Sequence, residues 1–122
     1  MDSKAMQKIS YGLYVITTKE GEKHNGCIVN TLTQVTSTPN KVSVTINKSN
    51  YTHEMITRTG RFVASIISQN ADFQLFKTFG FQSGREVDKF DGFNDFACTD
   101  EEIRYITKGT NSYISVKVTD TV

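Results

Sequence analysis

Tryptophan is absent from this chain, proline occurs once and cysteine twice. Two thiols are too few for a disulfide framework. Neither sign of charge dominates: 14 Lys and Arg stand against 13 Asp and Glu, a formal net charge of +1. Such a balance gives no electrostatic reason to expect nucleic acid or an anionic membrane surface as a partner. No apolar run approaches the roughly 20 residues that span a bilayer. The start, Met1-Asp2-Ser3-Lys4, lacks the basic-then-apolar plan of a secretory signal. A soluble, cytoplasmic protein is expected, with no nucleic-acid and no membrane partner.

Several chemistries lack their motifs as well. Gly-x-Gly-x-x-Gly, the P-loop and the Gly-x-Ser-x-Gly elbow do not occur. His24, His53, Cys27 and Cys98 have no zinc-ligand spacing. Asp88, Asp91 and Asp95 with Gly92 miss the twelve-residue calcium pattern and read as a solvated loop. No metal site is expected. Internal repeats and low-complexity segments are absent too.

What the chain does contain is eight Phe and five Tyr, with frequent β-branched residues. That favours a sheet-rich core with aromatics filling the gaps. With 122 residues, one domain over 1–122 is expected, long enough for a real core. Strands are expected at 11–18 and 26–30, paired antiparallel across a polar turn at 19–23, after a short lead-in at 6–9. A hydroxyl- and amide-rich run follows from Asn30 and turns at Thr38-Pro39-Asn40. Beyond it Val42-Ser43-Val44-Thr45-Ile46 is the cleanest apolar–polar alternation of the chain and predicts a strand over 41–47. Ser49 or Asn50 can cap a helix over 51–59 that Gly60 ends. Residues 61–67 are nearly continuous in apolar character, which predicts a central strand. A second helix is expected from 71 to about 79, started by residues 68–70. Its stripe is Phe73, Leu75, Phe76 and Phe79. From 80 to 98 the periodicity dissolves; long unperiodic loops in compact domains are usually functional. Thr99-x-x-Glu102 matches a capping box, and alternation returns over 112–118 with Ile114, Val116 and Val118 on one face. This order is not regular βαβ alternation. A mainly β (α+β), mostly antiparallel barrel with helices at its ends fits better.

Four segments, in order and spacing, carry a resemblance. They are Gly26-Cys27-Ile28-Val29-Asn30-Thr31-Leu32-Thr33-Gln34-Val35-Thr36-Ser37-Thr38-Pro39, then Val42 to Ile56, then Phe62-Val63-Ala64-Ser65-Ile66-Ile67-Ser68, and finally Ser83-Gly84-Arg85-x-x-Asp88-Lys89-Phe90. Together they resemble the flavin reductase-like family, whose FMN-binding split β-barrel occurs in flavoredoxins and in the reductase half of high-molecular-weight rubredoxins. The resemblance covers most of 6–118. It implies a split barrel with two or three short helices and a homodimer holding FMN near its interface. It further implies an oxidoreductase that takes hydride from NADH or NADPH and passes electrons to free flavin or a small redox protein such as rubredoxin. No acid–base residue is assigned.

The residues suit that ligand. The flavin ring edge would meet the stretch Asn30, Thr31, Leu32, Thr33, Gln34, Val35 and Thr36. Its phosphate would meet Asn47, Lys48, Ser49 and Thr52 at a helix start, where free N–H groups and the dipole favour anions. Ser83, Arg85 and Lys89 lie in the long loop, where a cation could reach the phosphate or ribityl chain by charge-assisted bonds. Read without the family pattern, the 31–37 run is an ordinary turn, Ser49 and Asn50 a plain cap, and Arg85 and Lys89 solvated loop residues. Family members usually continue past the last strand with a further hairpin that carries a Gly-rich, His-containing segment. The chain is therefore expected to be a truncated or naturally short form, with the nicotinamide side of the site incomplete. Two other readings stay open: an FMN-binding electron-transfer module without its own NAD(P)H oxidation, and a split-barrel interaction domain that has lost its flavin.

Overall fold

Val15 and Ile16 are neighbours in the chain, and both are fully buried. Successive residues of a strand point to opposite faces, so the strand that carries them has no solvent face. The computed structural model describes residues 12–37 and 40–122. The expected lead-in at 6–9, the start of the first strand at Tyr11 and the turn residues Thr38 and Pro39 lie outside the described residues. The element order is β1 (Tyr14–Glu20), β2 (Lys23–Val29), β3 (Leu32–Ser37), β4 (Asn40–Val44), α1 (Tyr51–Thr59), β5 (Arg61–Ile67), α2 (Phe73–Gly80), β6 (Phe96–Cys98), β7 (Arg104–Ile106) and β8 (Thr110–Lys117).

β1 and β5 are the inner strands of a four-stranded sheet ordered β2-β1-β5-β8, and every ladder in it is antiparallel. The alternation along each strand sorts side chains between two apolar clusters. Val15 and Ile28 join Leu75 and Phe79 of α2 with Phe90 and Ile106 on one face. Ile16, Cys27, Phe62 and Ala64 join Ile56 of α1 on the other, together with Leu32, Val44 and Ile46 from the β3–β4 ribbon. Two-sided burial is why 61–67 reads as a continuous apolar run. Buried hydroxyls add ties between elements: Ser65 Oγ accepts from the Ile106 N–H of β7 at 3.1 Å, and Thr18 Oγ1 of β1 donates to the Arg61 carbonyl of β5 at 2.8 Å.

Mostly antiparallel sheet with short helices is thus the architecture, and among the described residues the helices are two. The barrel is not closed: β3–β4 and β6–β7 form separate two-stranded sheets. Several expected boundaries move. The turn between β1 and β2 shrinks to Gly21-Glu22, because the strands run to Glu20 and from Lys23, with Gly21 at φ +61°. The hydroxyl-rich run is a strand, β3, and the expected strand over 41–47 is β4, whose ladder stops at Val44. Asp72, whose carboxylate accepts from the Leu75 N–H, caps α2, so that helix starts later than expected and leaves Phe73 69 % exposed. Thr99-x-x-Glu102 starts no helix. Glu102 takes φ +64° in a turn joining β6 to β7. The unperiodic loop sends aromatics into the core: Phe90 and Phe93 meet Phe79 and each other, and Phe96 meets Phe90, all edge-on with ring centroids 5.2–6.0 Å apart.

α1 matches its expected span, with Asn50 as N-cap and Gly60 at φ +75° as C-cap. A Cβ at Gly60 would meet no atom within 4 Å, so only backbone strain opposes a side chain there. Gly60→Ala should therefore cost about 1–2 kcal/mol. Urea denaturation should show a lower midpoint at unchanged slope, and an unshifted midpoint would contradict the left-handed cap.

Candidate functional site

The polar run before α1 is a set of nested turns. Asn47 Oδ1 accepts from the Ser49 N–H (2.9 Å) and hydroxyl (2.8 Å), and Asn50 Oδ1 accepts from the Thr52 N–H (2.9 Å). The Asn50 carbonyl takes the His53 N–H at 3.0 Å. Capping therefore consumes part of the donor capacity of the helix start. An anion there would rely on side chains and on the dipole. Asn47, Lys48 and Ser49 are exposed, and Lys48 is in no ion pair among the described residues. Thr52 is fully buried, its hydroxyl accepting from Asn25 Nδ2 at 3.0 Å, so it faces the core.

The loop at 83–88 closes onto the same helix start. Ser83 Oγ accepts from the Arg85 N–H at 3.2 Å. The Arg85 guanidinium forks onto Glu54, one nitrogen at 3.1 Å from Oε2 and the other in close contact with Oε1. It also lies 5.0 Å from the centre of the Tyr51 ring, with Lys23 Nζ at 4.4 Å from that centre. The Arg85 guanidinium holds the Glu54 carboxyl below the usual carboxylate range. Glu54 also reaches Arg58 at 3.8 Å, and Arg58 in turn grips Glu20 at 2.6 Å. Arg85 is thus brought to the start of α1, and Ser83 braces its backbone.

Lys89 is not. Only 4 % exposed, its Nζ donates to the Gly26 carbonyl at 2.7 Å and the Phe79 carbonyl at 3.1 Å. It straps β2 to the end of α2, and burial pushes its pKa down. An ammonium with two carbonyl partners is structurally employed, which the loop reading of the sequence did not foresee.

Residues 30–36 form a separate wall. Thr31 Oγ1 donates to the Thr45 carbonyl at 2.9 Å, and Gln34 Nε2 to the Thr36 carbonyl at 3.4 Å. The β3–β4 register slips between Gln34 and Thr36. The extra residue, Val35, is 65 % exposed. Such bulges re-aim side chains beside binding sites. Asn30, Thr31, Thr33 and Gln34 are exposed while Leu32 packs inward, so the wall presents amides and hydroxyls outward.

A family model for the flavin reductase like domain matches residues 6–122. The chain belongs to that family. Among curated relatives, this flavin reductase-like chain is 41 % identical to a high molecular weight rubredoxin of Moorella thermoacetica, over 100 % of the chain and 53 % of that protein. It is 39 % identical to a ferric-chelate reductase (NAD(P)H) of Archaeoglobus fulgidus, over 75 % of the chain and 54 % of that protein. The chain thus spans about half the length of these two relatives. In fold it is similar to an FMN-binding protein of Thermus thermophilus (TM-score 0.78, 24 % identity, 90 % of this chain and 60 % of that one). A flavoredoxin of Methanosarcina acetivorans is equally similar (TM-score 0.79, 21 % identity, 92 % and 59 %). The family ties the chain to flavin-related redox chemistry, and no helix among the described residues is long and apolar enough to cross a membrane.

Sequence reading missed Lys23, His24 and Arg104 as neighbours of this region. Only the β1–β2 register and the return of β7 bring them near, and no local pattern encodes either. His24 Nδ1 is buried without a hydrogen-bond partner among the described residues. Burial first, then the Arg104 and Lys19 charges, hold its imidazole below the ordinary histidine value. On acidification the unfolded chain takes up this proton before the folded one does, so stability falls as pH drops through the ordinary histidine range. His24→Phe should flatten that part of the pH profile of the unfolding midpoint; identical profiles would contradict the buried neutral imidazole.

Proposed function

We propose that this chain binds FMN, with the phosphate at the start of α1 and the ring edge along residues 30–36. As a homodimer it would pass electrons from NADH or NADPH, through the bound flavin, to free flavin or a small redox protein such as rubredoxin. The observation that carries this reading is the approach of Arg85, from the loop after α2, to Tyr51 and Glu54 in the first turn of α1. There Lys48, Ser49 and the helix dipole already favour an anion. The relatives' names support the redox part: one is a high molecular weight rubredoxin and one a reductase acting with NAD(P)H.

The donor set fits such a ligand. Lys48 and Arg85 would hold the phosphate, with the Asn47 and Ser49 side chains positioning it. Glu54 presets the Arg85 fork and would be partly released when a dianion takes its place. Asn30, Thr31, Thr33, Gln34 and Thr36, with backbone groups of Leu32 and Val35, would meet the polar edge of the ring. Thr52 and Lys89 would act from behind, one bracing the helix start and the other the loop that carries Arg85. When bound, FMN supplies the two-electron chemistry, and the protein supplies orientation and electrostatics.

Purified protein mixed with FMN and passed through a desalting column should keep the absorbance near ~450 nm of an oxidised flavin, close to one per chain. Arg85→Ala should raise the FMN Kd about tenfold, or ~1.4 kcal/mol. An unchanged Kd would remove Arg85 from the site, and colourless protein would sink the flavin reading.

Anaerobic addition of NADH or NADPH to the loaded protein should bleach that band. A loaded protein that neither nucleotide bleaches would instead be an electron-transfer module, with nicotinamide oxidation lying elsewhere.

A further inference from the structure

Between the β1–β2 turn and residues 84–88 lies a cavity of about 410 Å³, with Lys23, His24, Asp88 and Arg104 among its walls. Two of those residues each carry a buried nitrogen, His24 Nδ1 and Arg104 Nε, that has no hydrogen-bond partner among the described residues. Buried polar atoms of native proteins are nearly always paired, with protein, water or ligand. Two such orphans on side chains that line one cavity mark a place where something polar belongs.

Arg104 is the unusual member. Its guanidinium lies 4.2 Å from the Phe96 ring centre and 4.9 Å from that of Phe90, and it is in no ion pair among the described residues. The two rings pack against the guanidinium, whose planar fork suits a carboxylate or phosphate. The other cations of the lining have partners: Lys23 donates to the Gly84 carbonyl at 3.2 Å, and Arg85, assigned above to the flavin phosphate, pairs with Glu54. The acidic lining residues, Glu22, Glu86 and Asp88, are exposed, and Asp88 Oδ1 already accepts the Phe90 N–H at 3.0 Å. Water and salt screen exposed carboxylates far more than a half-buried guanidinium.

We propose that this cavity, which meets the proposed flavin site along Arg85, is a second anion site, in which Arg104 and His24 hold the phosphate or carboxylate group of a small ligand. The Arg104 guanidinium donates to the anion, and protonated His24 donates a second bond. The charged groups around that imidazole are Arg104 and Lys19, which oppose its protonation, and Asp88 and Glu22, which favour it. A bound anion would offset the repulsion from Arg104, so anion and proton bind together and affinity rises as pH falls.

The test follows the Arg104 Nε–H and His24 ring resonances by NMR. The full chain is titrated with inorganic phosphate and, separately, with acetate, above and below the ordinary histidine range. A saturable shift that tightens at the lower pH is expected, with affinity at least tenfold weaker in Arg104→Met and partly kept in Arg104→Lys. Preference between the two anions assigns the ligand class. Repeating the titration with FMN present separates this cavity from the α1 start: the Arg104 shift should persist while Arg85 no longer responds. Shifts that grow linearly without saturation, or an Arg104→Met protein that titrates like wild type, would overturn the proposal and leave the cavity to water. If Arg104→Met does not fold, the wild-type titration and His24→Phe decide.

Discussion

The pairing of β1 with β5 is the constraint from which the rest follows. Both strands are buried on both faces, so each face must be covered by something else in a chain of 122 residues. α2 and the Phe90–Phe96 aromatics cover one face; α1, the β3–β4 ribbon and β8 side chains cover the other. Apolar burial at roughly 25 cal/mol per Å² makes this two-sided sheet the dominant stabilising feature. The loops that carry the candidate site are positioned as by-products of that coverage. Arg85 reaches α1 because the segment around it is pinned a few residues later by Lys89 and Phe90.

Elements whose signals are local were legible. α1 shows its cap, its span and its terminating glycine in nine residues and their flanks, and the structure has it where it was expected. β5 and β8 carried enough apolar content to be recognised. β3 did not, because Thr, Gln and Ser present no apolar alternation; it is a strand only through its partner β4. The Thr99–Glu102 pattern looked like a helix start, but the apolar stretch behind it is too short, and Ile103 and Ile106 are buried as parts of a turn and of β7. Three-residue strands such as β6 and β7 lie below what periodicity resolves.

For the candidate site the same division holds. The α1 cluster was visible because a cap and an anion site draw on the same residue types. Lys89 was read as a loop cation, yet a ladder carbonyl on β2 and a carbonyl near the end of α2 both meet its ammonium. Neither contact leaves a trace in the residues around it. Arg104 carried no sign of interest at all, and its packing against the Phe90 and Phe96 rings is visible only in the fold.

The β3–β4 ribbon has a thermodynamic consequence of its own. Among the described residues its two strands hydrogen-bond only with each other, and it is seated on the core through Leu32, Val44 and Ile46. Two-stranded ribbons are marginal on their own in water. A ligand that grips such a wall must also supply the free energy of holding it still, so part of the binding constant measured there is local folding. Amides of residues 32–36 would then report occupancy by slowed hydrogen exchange, even where no ligand atom touches them.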